Sequence, residues 1–287
     1  MRQRLNFWVI GGDPRQMTLA RSLAEDGHTV HTYALDRGGE PSLAADGLAG
    51  AAVADCVVLP LPAADGENLN APLSSLRLPL AQVLDALRPG QLLCAGMADA
   101  RLVQAAEARG LTLRDYFARE ELAVANAVPT SEGAIQIAME ELPITLHGSK
   151  ALVVGYGRLG HVLARQLRGL GAAVSVAARN YTDLAWAQVW SYGVERSDQL
   201  SGWLCGYDLV INTVPAPVLG RAELADLKPG CLVIDLASKP GGVDFTAAAE
   251  LGVKVIWALS LPGKTAPVTA GLAIKNTIYN ILTELGV

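Results

Sequence analysis

Residues 151–160, ALVVGYGRLG, decide the fold of this chain. An apolar strand runs into a turn with glycine at positions 155, 157 and 160, and a helix-patterned stretch and a second apolar strand follow. This G-x-G-x-x-G arrangement is typical of a dinucleotide-binding βαβ unit, whose helix begins with N–H groups that bind phosphate. The glycines permit a tight turn, a close approach of the backbone to a pyrophosphate, and close packing of helix on strand. The sequence therefore predicts that a dinucleotide is bound by Gly155, Tyr156, Gly157, Arg158, Leu159 and Gly160.

The end of the second strand distinguishes between two dinucleotides. Sites for NAD place Asp or Glu about 20 residues after the glycines, where the acid binds the ribose 2′-hydroxyl. This chain has Arg179 and Asn180 at that point. An Arg suits a 2′-phosphate, and a hydrogen bond to a charged group contributes about 1.5–3 kcal/mol. We therefore expect NADP to be the cofactor; the alternative is that Arg179 is a solvated surface residue.

Length and composition exclude several classes of protein. The 287 residues suffice for two domains, and 51% hydrophobic against 18% charged residues predicts sizeable cores. A net charge of −5 argues against a nucleic-acid surface, which usually needs a basic face. No apolar run approaches the roughly 20 residues that span a bilayer, and we expect a cytoplasmic protein with no membrane partner. The spacing of the four Cys and four His residues predicts no metal site.

An internal correspondence runs through the sequence. Residues 7–12 resemble residues 151–156, and three later pairs of segments follow in the same order, at offsets of 140 to 153 residues. Both halves alternate strand-like and helix-like segments. We therefore predict an α/β fold with two doubly wound parallel-sheet (Rossmann-like) domains that flank a cleft. The predicted strands lie near residues 6–10, 28–33, 55–60, 91–95 and 111–115, and near 150–154, 173–178, 207–212, 231–236 and 253–257.

The domain boundaries follow from the segment between the halves. The first domain is predicted at 1–128 and the second, with a linking helix at its start, at 129–267. Pro129–Gly133 is expected to begin that helix, with Thr130 or Ser131 as its N-cap, and Pro143 to end it. The helical pattern near 268–287 is expected to pack back on the first domain.

The first glycine turn has lost the features that bind phosphate. It lacks the third glycine, and Asp13 stands near the start of its helix, where a carboxylate repels phosphate. We therefore assign the first half to the substrate, with Arg15 offered to the cleft at the carboxyl end of a strand. The alternative is that Asp13 caps the helix and Arg15 points to solvent.

Several segments at strand ends of the second half are further candidates. Thr213, Val214 and Pro215, with Ser238, are predicted to contact the nicotinamide end of the cofactor. Lys239 and Lys264, together with Arg15, are predicted to bind a small anion such as a dicarboxylate. The alternative for Lys264 is an ordinary connection to the last helix. Glu132 and Asp13 are the candidate acid–base residues, although a carboxylate at a helix start is the simpler and favoured explanation of Glu132.

The chain resembles the A-subunit family of dipicolinate synthase. The stretches that carry the resemblance are IGGDPRQ at 10–16, VPTSEG at 128–133, ITLHGSKALVVGYGRLG at 144–160, VAARN at 176–180, INTVP at 211–215, IDLASKPGGVDF at 234–245 and LSLPGKTAPVTAG at 259–271. Members of that family often carry Arg at the position of Lys239 and Leu at that of Tyr156. The first difference keeps the charge but loses the fork geometry of a guanidinium.

The resemblance implies a specific activity. It implies oxidation of a dihydrodipicolinate-type intermediate of the lysine and diaminopimelate pathway to dipicolinate, with NADP. It also implies a flavoprotein-like partner, the B subunit of dipicolinate synthase, and expression in the mother cell of a sporulating bacterium; a homo-oligomer is expected as well. Two alternatives remain. One is an NADP-dependent 2-hydroxyacid dehydrogenase, although no His follows His161 to act as its acid. The other is a non-catalytic module that senses NADPH.

Overall fold

The computed structural model describes residues 4–287 and divides them into two compact units. The first unit comprises the described residues up to Asn126 together with Ala266–Val287, and the second is Ala127–Thr265. Among the described residues, the strands are β1 (Asn6–Ile10), β2 (Thr29–Tyr33), β3 (Cys56–Val58), β4 (Ala64–Asp65), β5 (Asn68–Leu69), β6 (Leu92–Ala95), β7 (Thr112–Asp115), β8 (Lys150–Val154), β9 (Ala173–Ala178), β10 (Gly193–Arg196), β11 (Leu209–Asn212), β12 (Leu232–Asp235) and β13 (Lys254–Trp257). The helices are α1 (Pro14–Glu25), α2 (Leu80–Asp85), α3 (Ala100–Glu107), α4 (Glu120–Glu141), α5 (Arg158–Gly169), α6 (Tyr181–Val189), α7 (Arg221–Ala225), α8 (Phe245–Leu251), α9 (Leu261–Thr265) and α10 (Pro267–Glu284).

The first unit is built on a parallel sheet of five strands in the order β2-β1-β3-β6-β7, beside a small antiparallel hairpin, β4–β5. Strands β3 and β6 are buried at every residue, which explains why their sequences, CVV and LLCA, are uninterrupted apolar runs. Helix α10 packs on α1 at very short range. A Cβ atom on Gly271 would lie 2.6 Å from the carbonyl oxygen of Arg15, so this contact requires glycine.

The second unit is built on a parallel sheet of six strands in the order β10-β9-β8-β11-β12-β13. This is the strand order of dinucleotide-binding domains, and its order reverses between β8 and β11, where such sheets bind their ligands. Without the outer strand β10, the remaining five strands follow the same order as the sheet of the first unit. Two α/β domains with doubly wound parallel sheets, as the sequence predicts, are therefore confirmed.

The internal correspondence in the sequence has a counterpart in hydrogen bonding. Asp55 precedes β3 and accepts a hydrogen bond of 2.7 Å from the backbone N–H of Asn6, the first residue of β1. Asp208 precedes β11 and accepts one of the same length from the backbone N–H of Lys150, the first residue of β8. In each unit, an Asp that precedes one strand therefore links that strand to the first residue of its neighbour.

Three features differ from the sequence prediction, and the first is the short hairpin β4–β5, which is not expected. Strand β10 is not expected, because its sequence GVER is not apolar and only one edge of it pairs with another strand. The predicted start of the helix at Pro129–Gly133 is wrong, since α4 begins at Glu120 and contains Pro129. Its length of 22 residues gives the helix many hydrogen bonds beyond the one that proline removes. Among the described residues, no helix is both long and apolar enough to cross a bilayer.

Candidate functional site

The glycine turn between β8 and α5 has the geometry that a dinucleotide requires. Gly155 has a φ of 96°, and a Cβ atom on it would lie 2.3 Å from Thr213 Oγ1. A Cβ atom on Gly160 would lie 2.1 Å from the carbonyl oxygen of Gly155. A Cβ atom on Gly157, by contrast, would have no neighbouring atom within 4 Å, so the protein leaves open space there. Two glycines are thus required by packing, and the third keeps a surface accessible.

The start of α5 is prepared for an anion. Gly157 is its N-cap, which offers no side-chain acceptor, and the first turn contains no acidic residue. The start of α1 in the first unit is the opposite case, because the Asp13 side chain caps it in a reciprocal arrangement with Gln16. An uncapped helix start beside open space fits the phosphates of a dinucleotide, whereas a start occupied by a carboxylate does not.

The side chain of Tyr156 packs against α5 and so supports the glycine turn. Its ring is buried and stacks on His161 in α5, with 3.8 Å between the ring centroids. Burial raises the pKa of the Tyr156 hydroxyl above its ordinary value. Because the side chain is packed inside the second unit, contact between Tyr156 and a ligand is possible only through its backbone. Leu159 is half-buried and Arg158 is exposed.

Two arginines lie at the carboxyl ends of the neighbouring strands β9 and β10. Arg179 is exposed, and Asn180 caps α6 by accepting a hydrogen bond of 2.7 Å from the backbone N–H of Thr182. The guanidinium of Arg196, at the end of the neighbouring strand β10, lies 4.7 Å from the centroid of the Tyr181 ring. A hydrogen bond from Arg196 holds the pKa of Asp198 below its ordinary value, and the charge of Arg179 lowers it further. The sequence reasoning misses Arg196, because it does not predict β10.

The carboxyl ends of β11 and β12 are joined by two buried polar side chains. Asn212 and Asp235 are both fully inaccessible to solvent, and Asn212 Nδ2 donates to Asp235 Oδ1 at 2.8 Å. Asp235 also accepts from the backbone N–H groups of Ala237, at 3.0 Å, and Gly242, at 2.9 Å. These hydrogen bonds therefore connect the end of β11 to the loop that follows β12. The sequence shows an Asn and an Asp at the ends of two apolar strands, but it does not show that these two side chains are partners.

The loop after β11 is also tied to the glycine turn. Thr213 Oγ1 donates to the carbonyl oxygen of Val154 at 2.9 Å and lies over Gly155. Val214 is half-buried and Pro215 is exposed. The structure therefore brings the predicted nicotinamide-side residues Thr213, Val214 and Pro215 to the same edge of the sheet as the glycine turn.

Ser238, Lys239 and Lys264 are exposed and follow neighbouring strands of the same sheet. Ser238 and Lys239 stand in the loop after β12, and Lys264 stands in the short helix α9 after β13. Parallel strands end at a common edge, so both lysines belong to the edge that carries the glycine turn. Their assignment to a substrate anion stays a prediction.

Asp13 and Arg15 are paired with each other in the first unit. Arg15 Nη2 lies 2.7 Å from Asp13 Oδ2 and also donates to the carbonyl oxygen of Leu61. Arg15 is buried, so the alternative that placed it in solvent is wrong, whereas the capping role of Asp13 is seen directly. The assignment of both residues to the substrate stays a prediction.

Glu132 lies on the exposed side of α4. It is 12 residues beyond the first residue of that helix, Glu120, so the interpretation as a helix-start carboxylate is wrong. Its predicted role as an acid or base stays a prediction.

Comparison with known proteins identifies the family of this chain. Residues 6–117 match the model of the N-terminal domain of the dipicolinate synthase A subunit, and residues 122–286 match that of the alanine dehydrogenase/PNT C-terminal domain. The A subunit of dipicolinate synthase from Bacillus subtilis (strain 168) is 34% identical over 98% of this chain and 97% of its own. The chain belongs to the A-subunit family of dipicolinate synthase.

Two solved structures of dipicolinate synthase A subunits are similar to this chain over nearly its whole length. The crystal structure of the dipicolinate synthase A chain from Bacillus subtilis has a TM-score of 0.90 and 32% identity, and covers 100% of this chain and 98% of that one. The structure of the A subunit from Bacillus halodurans has a TM-score of 0.89 and 29% identity, with 97% of both chains covered. Family membership and the alanine dehydrogenase/PNT domain make this chain a dehydrogenase-type enzyme whose cofactor is a nicotinamide dinucleotide.

Proposed function

We propose that this chain oxidises a dihydrodipicolinate-type intermediate to dipicolinate, with hydride transfer to NADP. The observation that carries the choice of NADP is the exposed guanidinium of Arg179 at the end of β9. The reaction is proposed from the named relatives, since the Bacillus subtilis protein is the A subunit of dipicolinate synthase.

The residues that would hold the cofactor follow the strand order of the second unit. The backbone of Gly155–Gly160 would bind the pyrophosphate at the start of α5. Arg179 and Asn180 would bind the 2′-phosphate, because a guanidinium offers paired donors to phosphate oxygens. Residues at the ends of β11 and β12 would hold the nicotinamide end; these are Thr213, Val214, Pro215 and Ser238. The bound cofactor supplies a carbon that accepts the hydride.

Lys239 and Lys264 would bind the substrate carboxylates as point charges. Loss of a hydride and a proton from the dihydro ring produces an aromatic ring, which makes the oxidation favourable. Much of the rate effect can therefore come from holding the ring in the reactive orientation. Arg15 remains a proposed carboxylate ligand, and Glu132 or Asp13 a proposed proton acceptor.

The biological setting is part of the same proposal. It comprises a flavoprotein-like B subunit, a homo-oligomeric assembly, a substrate from the diaminopimelate pathway, and the mother cell of a sporulating bacterium. The support is membership of the A-subunit family of dipicolinate synthase.

A turnover assay tests the proposed reaction. Dihydrodipicolinate is generated in situ and NADPH formation is followed by its absorbance, first with this chain alone and then together with the B subunit. We expect NADPH to accumulate together with dipicolinate, and NAD to be a much poorer acceptor. If neither condition yields NADPH while the chain still binds it, the sensor alternative replaces this proposal.

A further inference from the structure

Asp235 carries a buried charge for which the proposed reaction has no use. Its side chain is fully inaccessible, and three donors face its two oxygens: Asn212 Nδ2 and the backbone N–H groups of Ala237 and Gly242. Within residues 4–287, no Lys, Arg or His side chain forms an ion pair with Asp235. The Asp235 carboxylate is therefore held by neutral donors alone.

The loops around Asp235 hold it in one position. A Cβ atom on Gly241 would lie 2.9 Å from Asp235 Oδ2, and one on Gly242 would lie 2.3 Å from Asn212 Nδ2. The backbone N–H groups of Val218 and Leu219 both donate to the carbonyl oxygen of Gly242 at 3.0 Å. These contacts hold the loops after β11 and β12 around the Asp235 carboxylate in one arrangement.

The strand order indicates which part of the cofactor these loops would meet, and this step rests on the proposed function. Strands β9 and β11 lie on opposite sides of β8. If the adenosine end of the dinucleotide is held at Arg179 after β9 and the pyrophosphate at the start of α5, the nicotinamide end belongs on the side of β11 and β12.

We propose that Asp235 favours the oxidised form of the bound nicotinamide over the reduced form. The oxidised ring carries one more positive charge than the reduced ring, and a buried carboxylate without a cationic partner attracts that charge. For a separation of about 10 Å and an effective dielectric constant of about 20, one unit charge changes binding by roughly tenfold. The side chain acts through its charge, at a distance, and not as a catalytic group.

The test compares binding of NADP⁺ and NADPH to wild type and to Asp235→Asn, which removes the charge but keeps the shape. Calorimetry gives both Kd values without any need for turnover. We expect the ratio of the NADP⁺ Kd to the NADPH Kd to rise about tenfold, mainly through weaker binding of NADP⁺. Asp208→Asn is the matched control, because Asp208 stands at the opposite end of β11 and accepts from the backbone of Lys150. Its ratio should equal that of wild type.

The possible results separate the inference from the proposed function. Equal weakening of both cofactor forms by Asp235→Asn would show a structural role alone and would overturn the inference. If wild type binds neither form, the proposed cofactor site fails and the inference falls with it. Should Asp235→Asn not fold, the smaller Asp235→Ser, which leaves room for water, is measured instead. A change in ratio that persists at high salt supports the inference, because a buried charge is poorly screened.

Discussion

Gly160 lies so close to Gly155 that a Cβ atom on Gly160 would be 2.1 Å from the carbonyl oxygen of Gly155. In the same turn, Gly157 has no atom within 4 Å of its Cβ position and an ordinary φ of −83°. The close contact at position 160 therefore requires glycine, whereas glycine at position 157 leaves room for the proposed pyrophosphate. Two alanine substitutions can separate these requirements.

Gly160→Ala should destabilise the second unit. The added methyl group meets the backbone, which cannot rotate away as a flexible side chain can, and such overpacking costs about 1–3 kcal/mol. Urea denaturation measures the loss. Gly169→Ala is the control in the same helix, because a Cβ atom there meets nothing within 4 Å and alanine is the better helix former. Equal stability of the two variants would contradict the close contact.

Gly157→Ala should lower the free energy of unfolding by less than about 1 kcal/mol, because alanine is a poorer N-cap than glycine but its methyl group would contact nothing. Its affinity for the dinucleotide should fall at least about tenfold, because the methyl group occupies the surface that the pyrophosphate needs. Calorimetric titration with NADP⁺ measures the change. An unchanged Kd would mean that phosphate does not approach Gly157.

Arg179→Ala should reduce the preference for NADP over NAD. Loss of a charged hydrogen-bond donor to the 2′-phosphate costs about 1.5–3 kcal/mol, or roughly 10- to 150-fold in the NADP Kd, and leaves the NAD Kd nearly unchanged. Arg165→Ala, which removes an exposed arginine of α5, is the control for net charge. A parallel loss of affinity for both dinucleotides in Arg179→Ala would remove Arg179 from the 2′-phosphate site.

The sequence predicts the parts of the fold that depend on apolar runs. All ten predicted strands are present, because buried parallel strands such as β3 and β6 consist of apolar residues. Strand β10 escapes prediction because Val194 is the one apolar residue in Gly193–Arg196. The start of α4 escapes it because proline usually opens a helix, whereas Pro129 stands inside one.

The site is predictable in outline but not in its internal contacts. The spacing of the glycines identifies the turn. The absence of Asp or Glu after β9 is also visible in the sequence. The pairing of Asn212 with Asp235 depends on β11 and β12 being neighbours, which no local pattern shows. The ion pair between Asp13 and Arg15 is equally hidden, because each residue alone is compatible with a surface position.

Lys239→Ala should raise the KM for the dianionic substrate at least about tenfold, because a charge-assisted hydrogen bond is lost. Lys239→Arg should retain most of the affinity, since the charge at the end of β12 is kept. Lys254→Ala is the control, because Lys254 begins β13 at the opposite edge of the sheet and pairs with Glu141. Steady-state kinetics at saturating NADP⁺ measures the effect. If Lys239→Ala and Lys254→Ala have the same KM, Lys239 does not bind the substrate.

The attachment of α10 to α1 should weaken in acid. Asp26 Oδ2 accepts from Lys275 Nζ and from the Tyr279 hydroxyl, both at 2.7 Å, and the hydrogen bonds from Lys275 and Tyr279 hold the pKa of Asp26 below its ordinary value. A carboxylate with a lowered pKa in the folded protein stabilises it above the pKa of the unfolded chain, about 3.9. That contribution is lost as the pH falls through the lower pKa of the folded state.

Asp26→Asn should therefore cost about 1 kcal/mol at neutral pH, a figure limited by solvent screening of a partly exposed pair. The difference between wild type and variant should shrink below about pH 4 and vanish once Asp26 of wild type is protonated. Urea denaturation at a series of pH values measures it. Asp85→Asn is the control, because Asp85 pairs with Arg109 at an exposed position of the same unit. A difference that is constant across the acid range would show that the charge of Asp26 does not hold α10 on α1.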